Sequence, residues 1–314
     1  MAPGIQTVGR ARVTMSETTM SEMTMASRVE QLRRQALEEV RSENFDEALA
    51  LYDEALGLSD DEEVRELITI NKAHALIAAE RTGPEVKALP MILMRRRNVQ
   101  HTVLASYALL YTHRLANETK RAIFYGQIAL EAAKQTGQTF WVLAVLNELG
   151  IVYEVDSQFP KAIECFEEAL ALISTLDDAS QQQFSRVAIY QNLGYNRLLV
   201  GDTVQGIQMI ESILDQVIVP STLPDSYIDL CYGYLDLEEY EKARRYGETG
   251  LALACEPRQV RNAHYLIGEA AYKMGDVEAA EQHFEQLAKF YPQFRHLKSL
   301  LFAIDLRSMI NLKL

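Results

Sequence analysis

The chain has few cysteines and no long apolar run. Only three of its 314 residues are cysteine, Cys165, Cys231 and Cys255, and none are spaced as CxxC. An odd number of scattered cysteines argues against a disulfide framework or a thiolate zinc site and is typical of a reducing compartment. No apolar stretch approaches the roughly 20 residues that a membrane-spanning helix needs. We therefore expect a soluble, cytoplasmic protein.

Basic residues are also scarce. The chain has 31 Lys and Arg against 44 Asp and Glu, which gives a formal net charge of −13. This negative charge repels both the phosphate backbone of nucleic acids and anionic lipid. The composition therefore predicts that neither nucleic acid nor a membrane is a partner.

The N-terminal segment lacks the apolar core of a signal peptide. Its first 27 residues are rich in Ser, Thr and Met instead,. We predict that residues 1–27 form a disordered tail. Met15, Met20, Met23 and Met25 leave open a later start of translation.

Motifs with known chemistry are missing as well. There is no phosphate-binding Gly-rich loop, HExxH helix, GxSxG elbow or kinase motif. The six histidines have no metal-ligand spacing: His74, His101, His113, His264, His283 and His296,. Adjacent carboxylates such as Glu167 and Glu168 fall where a helix needs a solvated face. We predict that the chain is not an enzyme and binds no cofactor and no metal.

What the sequence does contain is a repeat. GDVEAAEQHFEQLAKFYP at 275–292 aligns with SQFPKAIECFEEALAL at 157–172, so that Ala280 and Phe284 correspond to Ala162 and Phe166. A small or apolar residue before each such segment recurs at steps of 37, 37, 40, 44, 37 and 37 residues. These positions are Ala36, Ala73, Leu110, Gly150, Gly194, Cys231 and Gly268. The spacing predicts seven units.

Each unit has the pattern of two helices joined by a turn. In unit four, apolar residues recur at helical spacing up to Tyr153, Asp156-Ser157 interrupts them, and the pattern resumes at Ala162,. Gly150 allows the two helices to approach closely, and we expect it to face Ala162. In unit two, Pro90 should kink or split the second helix.

This pattern resembles the tetratricopeptide repeat family, whose unit carries Leu-Gly and Tyr in its first helix, Ala, Phe and Ala in its second, and a terminal Pro. The resemblance covers residues 28–292 and is closest in unit four and in the second helix of unit seven, which ends at Pro292. It implies an all-α fold: a right-handed α-solenoid of about seven hairpins. The long repeats are similar to those of bacterial peptide-sensing regulators.

The C-terminal residues 293–314 should close the stack. Leu297, Leu300, Leu301 and Ile304 mark one face of an expected capping helix, and an apolar tail follows it,. We expect this tail to fold back over unit seven; the alternative is a homodimer contact through it.

The resemblance also implies a binding surface, because the first helices of such units line a concave groove. The family's frame places eight candidate residues in it: Asn71, Tyr107, Tyr111, Asn147, Asn192, Tyr195, Tyr232 and Tyr265. Arg114 and Glu148 fall beside them. Asn can bond both the C=O and the N–H of an extended peptide, and Tyr adds rigid contact area. For each residue, the alternative is that it satisfies a neighbouring helix.

Cationic side chains offer two further ways to bind a partner. The family's clamp for a C-terminal carboxylate is absent from units four to six, since their first helices offer only Arg197, which should face a partner helix. Arg95, Arg96 and Arg97 form a basic patch. The patch is either a solvated helix end or a docking site for an acidic partner segment.

These observations predict a non-catalytic protein–protein interaction scaffold that binds another protein's peptide or helix in its groove. The alternative is a peptide- or ligand-responsive regulatory module that acts through a partner chain.

Overall fold

The structure, a computed structural model, describes residues 17–95, 97–176, 178–216 and 222–304. All regular structure in these ranges is helical. The fourteen α-helices are α1 Glu17–Arg41, α2 Phe45–Leu58, α3 Glu62–Ala78, α4 Pro84–Arg95, α5 Val99–Leu115, α6 Thr119–Thr136, α7 Thr139–Val155, α8 Phe159–Leu172, α9 Ala179–Leu199, α10 Thr203–Glu211, α11 Leu223–Asp236, α12 Tyr240–Leu253, α13 Pro257–Lys273 and α14 Val277–Phe290. The predicted all-α repeat fold is confirmed.

The helices form seven hairpins whose turns have the same backbone geometry. After each first helix comes one residue with positive φ: Glu43, Glu80, Asn117, Ser157, Gly201, Glu238 and Gly275. At Ser157, its N–H donates to the Glu154 carbonyl at 2.9 Å, and the next N–H, of Gln158, donates to Tyr153 at 2.8 Å. This is a Schellman motif, which satisfies carbonyls at the end of the helix. All seven turns contain this pair of bonds.

The turns confirm the predicted repeat spacing. Their positive-φ residues are separated by 37, 37, 40, 44, 37 and 37 residues, the same steps as the small positions of the first helices. Each first helix therefore runs the same distance from its close-packed position to its turn, and the extra residues of the longer units lie elsewhere.

The chain divides into two compact structural units, residues 1–108 and 109–314, with the boundary inside α5. Unit 1 and unit 2, written with numerals, denote these two parts and not the repeat units, whose numbers are spelled out. Unit 1 has an apolar core that includes Leu32, Tyr52 and Ile68. Unit 2 has a core that includes Tyr195, Cys231 and Phe284. The candidate site lies in unit 2.

Glycines allow close helix packing within unit 2. A Cβ placed on Gly150 of α7 would lie 2.5 Å from the Phe166 ring of α8, and a Cβ on Gly126 of α6 would collide with Leu149 of α7. The role predicted for Gly150 therefore holds, but the side chain nearest to it is Phe166 and not Ala162. The Phe166 ring fills the space that the missing side chain of Gly150 leaves, and it is completely buried there.

Two expectations about helix boundaries were wrong. Residues 17–27, assigned to a disordered tail, belong to α1. They contain no Gly or Pro, so a helix held by the buried Val29 and Leu32 can continue through them at little cost. Pro90 does not split α4, which is continuous from Pro84 to Arg95. Residues 1–16 of the predicted tail lie outside the described part.

The C-terminal segment covers unit seven but is not the regular capping helix that the spacing predicted. Pro292–Ala303 is 3-10 in character and is broken at Lys298, where φ is 47°. Because of this break, Leu301 and Phe302 are buried whereas Leu300 and Ile304 are exposed. The Phe302 ring packs on Gly268 of α13. The segment up to residue 304 thus packs on unit seven, whereas the apolar tail, expected either to fold back or to form a homodimer contact, lies in residues 305–314, outside the described ranges.

Candidate functional site

The first helices of unit 2 bring a row of polar side chains together. Arg114, near the end of α5, donates from Nε to Oε2 of Glu148 in α7 at 2.9 Å. Its guanidinium also lies 4.6 Å from the centre of the Tyr111 ring, a cation–π contact,. Burial raises the pKa of Glu148, and the charge of Arg114 opposes this rise. Three side chains named from the sequence are therefore in contact.

Asn147 and Asn192 form the next pair. Nδ2 of Asn192 in α9 donates to Oδ1 of Asn147 in α7 at 3.2 Å, and both side chains are partly exposed. Among the described residues, this bond uses neither Nδ2 of Asn147 nor Oδ1 of Asn192. The two amides that the family's frame predicted for the groove are thus in contact, and their role in binding stays a prediction.

A cavity of about 410 Å³ adjoins this pair. Its lining comes from α5 and the turn after it, from α7 and α9, and from the start of α13: Arg114, Leu115, Asn117, Ile151, Glu154, Val155, Asn192 and Arg258. Its apolar lining is provided by Leu115, Ile151 and Val155. The volume is within the range of small-ligand sites, roughly 300–1,000 Å³.

A second guanidinium reaches this cavity from α13. Arg258 forms a bidentate ion pair with Asp225, with distances of 2.9 and 3.1 Å. Burial would lower its pKa, but the bonds to Asp225 raise it overall. Two arginines that are distant in sequence, Arg114 and Arg258, thus line the same cavity, each with a carboxylate partner.

Glu154 and Asn196 support the site from beneath. Nδ2 of Asn196 donates to Oε2 of Glu154 at 2.5 Å and to the carbonyl of Asn192 at 2.8 Å, and both side chains are buried. These bonds connect α7 to α9 below Asn192.

Three of the tyrosines predicted to line the groove lie in the core instead. Tyr195, Tyr232 and Tyr265 are 1%, 8% and 0% exposed and belong to the apolar core of unit 2. The Tyr265 ring packs 5.9 Å from that of Phe302. In this structure they therefore support the first helices and offer little surface to a ligand.

The remaining groove candidates lie in or near unit 1. Asn71 of α3 is buried, at 8% exposure, and its Nδ2 has no hydrogen-bond acceptor in the described part of the chain. Tyr107 stacks on His74, with ring centres 6.2 Å apart. Burial lowers the pKa of His74. Asn71, His74 and Tyr107 belong to unit 1, and none of them lines the cavity of unit 2.

The arginines of the basic patch are engaged with acids of α3. Arg97 forms an exposed ion pair with Glu62 at 2.5 Å, and Arg95 lies 3.8 Å from Glu66. Arg96 lies outside the described residues. Arg95 and Arg97 therefore interact with Glu66 and Glu62 of α3, and the use of the patch as a docking site remains a prediction.

Sequence reasoning missed Glu154, Asn196 and Arg258. Glu154 is one helical turn beyond Gly150, so extending the frame towards the turn would have included it. Arg258 has no comparable signal, because only the stacking of several hairpins brings it to the cavity. Arg197 was placed correctly, since it binds Glu167 of α8 and Asp202.

Comparison with known proteins identifies the class of repeat. The tetratricopeptide repeat model matches residues 262–294, which include most of α13 and all of α14. RapI in its apo form is similar, with a TM-score of 0.67 and 12% identity over 90% of this chain and 84% of RapI. No curated protein matches the sequence.

Two peptide-bound structures share the fold. A Rap protein complexed with competence and sporulation factor has a TM-score of 0.63 and 15% identity over 87% of this chain and 79% of its own. NprR in complex with its cognate peptide NprX has a TM-score of 0.59 and 16% identity, with coverages of 88% and 82%. The chain therefore contains a tetratricopeptide repeat at residues 262–294 and shares the helical repeat fold of these structures. At these identities, the structural matches establish the fold alone.

Two other kinds of site are absent from the described part of the chain. Among the described residues, no three or more His, Cys, Asp or Glu side chains are grouped to hold a metal ion. None of the described helices is both long and apolar enough to span a membrane.

Proposed function

We propose that the chain is a non-catalytic scaffold that binds an extended peptide of a protein partner on the first-helix face of unit 2. The Asn147–Asn192 pair carries the proposal. One bond joins the two amides, and among the described residues it uses neither Nδ2 of Asn147 nor Oδ1 of Asn192; of the two residues, Asn192 lines the cavity. A peptide backbone presents the matching carbonyl and N–H, whatever its side chains.

The cavity suits part of such a peptide. Leu115, Ile151 and Val155 can cover one apolar side chain, and Leu115 is 53% exposed in its absence. The terminal nitrogens of Arg114 can donate to a peptide carbonyl, since the bond to Glu148 uses only Nε. Similar folds in the Rap protein and NprR structures hold peptides, which supports the class of ligand. The scattered cysteines agree with a reducing cytoplasm of bacterial type.

A random linear heptapeptide library, selected on the full chain, tests this function. Isothermal titration calorimetry would then compare the selected peptides on the parent, Asn147→Ala, Asn192→Ala and a control that carries Gln282→Ala with Gln286→Ala on α14. A hydrogen bond contributes roughly 0.5–1.5 kcal/mol, so we expect each site variant to bind about 2- to 12-fold more weakly. The proposal fails if selection yields no binder or if all four proteins bind equally.

A regulatory module is the second candidate, and the composition of the cavity favours it. Its lining comes from α5, α7, α9 and α13, so a ligand that contacts all four would link hairpins that are distant in sequence. Hydrogen exchange with a selected peptide distinguishes the two functions. A scaffold shows protection confined to these helices, whereas a regulator also shows changes in helices that the peptide does not touch.

A further inference from the structure

A second cleft lies in unit 1, apart from the proposed peptide site. Its volume is about 580 Å³. It is lined by α1, by the end of α2 with the segment that follows, and by the start of α3: Met25, Ala26, Val29, Glu30, Leu58, Ser59, Asp60, Asp61 and Val64. We call it the α1–α3 cleft.

The lining of the α1–α3 cleft is mostly apolar. Met25 is 43% exposed, and Val29, Leu58 and Val64 lie beside it in the lining. A flexible Met side chain adapts to the shape of a partner, and for this reason Met is frequent at binding surfaces. The lining therefore offers apolar area that a partner could cover.

Among the described residues, the charged side chains that line the cleft are all acidic: Glu30, Asp60 and Asp61. Arg33 and Arg34 already bind Glu30, at 2.7 Å each. Oδ1 of Asp61 caps α3 by accepting from the N–H groups of Glu63 and Val64, at 2.8 and 3.1 Å.

Asp60 and Asp61 carry the negative charge that is left for a partner. Within the described ranges Asp60 forms no ion pair, and no Lys or Arg lines the cleft. The two carboxylates therefore attract cations and disfavour acidic segments.

We propose that the α1–α3 cleft binds a cationic amphipathic segment of a partner protein. Apolar side chains of the segment would lie on Met25, Leu58 and Val64, and its Lys or Arg residues would pair with Asp60 and Asp61. Charge complementarity selects this occupant, and recognition of an amphipathic helix in a groove has the same chemistry. Asp60 and Asp61 would thereby have a function separate from that of the peptide site in unit 2.

A fluorescein-labelled 18-residue amphipathic peptide of Leu and Lys is a direct probe. Its scrambled isomer, with the same charge but no apolar face, is the peptide control. Fluorescence anisotropy would measure both on the full chain, on Asp60→Asn with Asp61→Asn, on Met25→Gln, and on a control carrying Glu241→Gln with Glu285→Gln. Asn retains the cap of α3 while removing the charge. Glu241 and Glu285 are exposed glutamates of unit 2.

We expect the amphipathic peptide to bind the parent and the Glu control equally, and to bind the Asp pair variant about 3- to 10-fold more weakly, as for two exposed ion pairs. Met25→Gln should also weaken binding. Equal affinity for the scrambled peptide, or no difference between the Asp variant and the Glu control, would overturn the proposal. So would a gain in affinity after Arg10→Gln with Arg12→Gln, which would identify the chain's own N-terminal segment as the occupant, or dimerisation that the Asp variant abolishes.

Discussion

Five of the seven hairpin turns hold a side chain in the left-handed region of φ, where glycine is favoured. Glu238 has φ of 60°, and the equivalent Gly275 has φ of 78°. A residue with a Cβ costs roughly 1–2 kcal/mol there, partly offset because Gly loses more entropy on folding. The turns at Gly201 and Gly275 therefore avoid the steric cost of a Cβ at positive φ, which the other five turns carry.

We predict that Glu238→Gly stabilises the protein by about 0.5–1 kcal/mol, because it removes the steric cost of a Cβ at positive φ. Urea unfolding followed by circular dichroism measures the change. The matched control is Glu241→Gly, the same substitution inside α12, which should destabilise by about 0.5–1 kcal/mol. If both substitutions destabilise equally, the left-handed turn is not a source of strain.

At the residue scale, Gly150 packs closely as predicted and Asn147 contacts Asn192, whereas Asn71 and three of the predicted groove tyrosines are buried. Gly150 was expected to pack closely because a small or apolar residue recurs at its position in each first helix. Asn147 and Asn192 lie at related positions of two successive first helices, and their side chains are in contact. Tyr195, Tyr232 and Tyr265 occupy equally regular positions, yet they are buried. Tyr is amphipathic, and its ring can pack in a core while its hydroxyl finds a partner. Periodicity alone therefore could not decide whether these side chains face a ligand or a helix.

At the scale of elements, the contact between the C-terminal segment and α13 depends on one glycine. Any Cβ at Gly268 would collide with the Phe302 ring. We predict that Gly268→Ala costs about 1–3 kcal/mol, as overpacking does. In a Phe302→Ala background the same change should stabilise by up to about 1 kcal/mol, because Ala is the better helix former. Chemical denaturation of the four proteins gives the double-mutant cycle, and additive effects would contradict the contact.

The hairpin of α13 and α14 contains a histidine pair that makes its stability depend on pH. Nδ1 of His264 and Nδ1 of His283 are 2.9 Å apart, so one must donate while the other accepts. Burial, with the nearby charge of His283, lowers the pKa of His264 from 6.5 to about 4. Burial lowers the pKa of His283 too, with Glu248 opposing and Arg244 reinforcing the shift.

We predict that stability falls as the pH decreases from about 6.5 to about 4. In this window His264 binds a proton in the unfolded chain but not in the folded one. Lowering the pH therefore favours the unfolded state and decreases the free energy of unfolding. Allowing for partial exposure, the loss should be about 1–2 kcal/mol. Urea unfolding across this range should show a smaller loss for His264→Gln and an unchanged loss for the exposed His296→Gln. Equal pH dependence in all three proteins would contradict the role of the pair.

At the scale of the whole molecule, the repeat spacing predicted the number and order of the hairpins but not the cavity. The spacing of small residues is local information, and the seven turns follow it. The cavity requires Arg258 to meet Arg114 after several hairpins have stacked, and the accumulated rotation of that stack is not encoded at any single position. Long-range sites in repeat proteins are for this reason harder to predict than the repeats themselves.

Stacking of neighbours also predicts how the protein unfolds. Within unit 2, from α6 onward, helices pack mainly with those one or two places away along the chain. Stability should therefore be a sum of hairpin and nearest-neighbour terms.

Phe166→Ala in α8 and Phe284→Ala in α14 each remove a buried ring, a loss of about 3–5 kcal/mol,. Hydrogen exchange measured by mass spectrometry should show Phe284→Ala accelerating exchange across α13 and α14 while α6 and α7 keep their protection. Phe166→Ala should do the reverse, with faster exchange in α7 and α8 and protection kept in α14. A uniform increase throughout unit 2 in both variants would mean that the unit unfolds as one cooperative body.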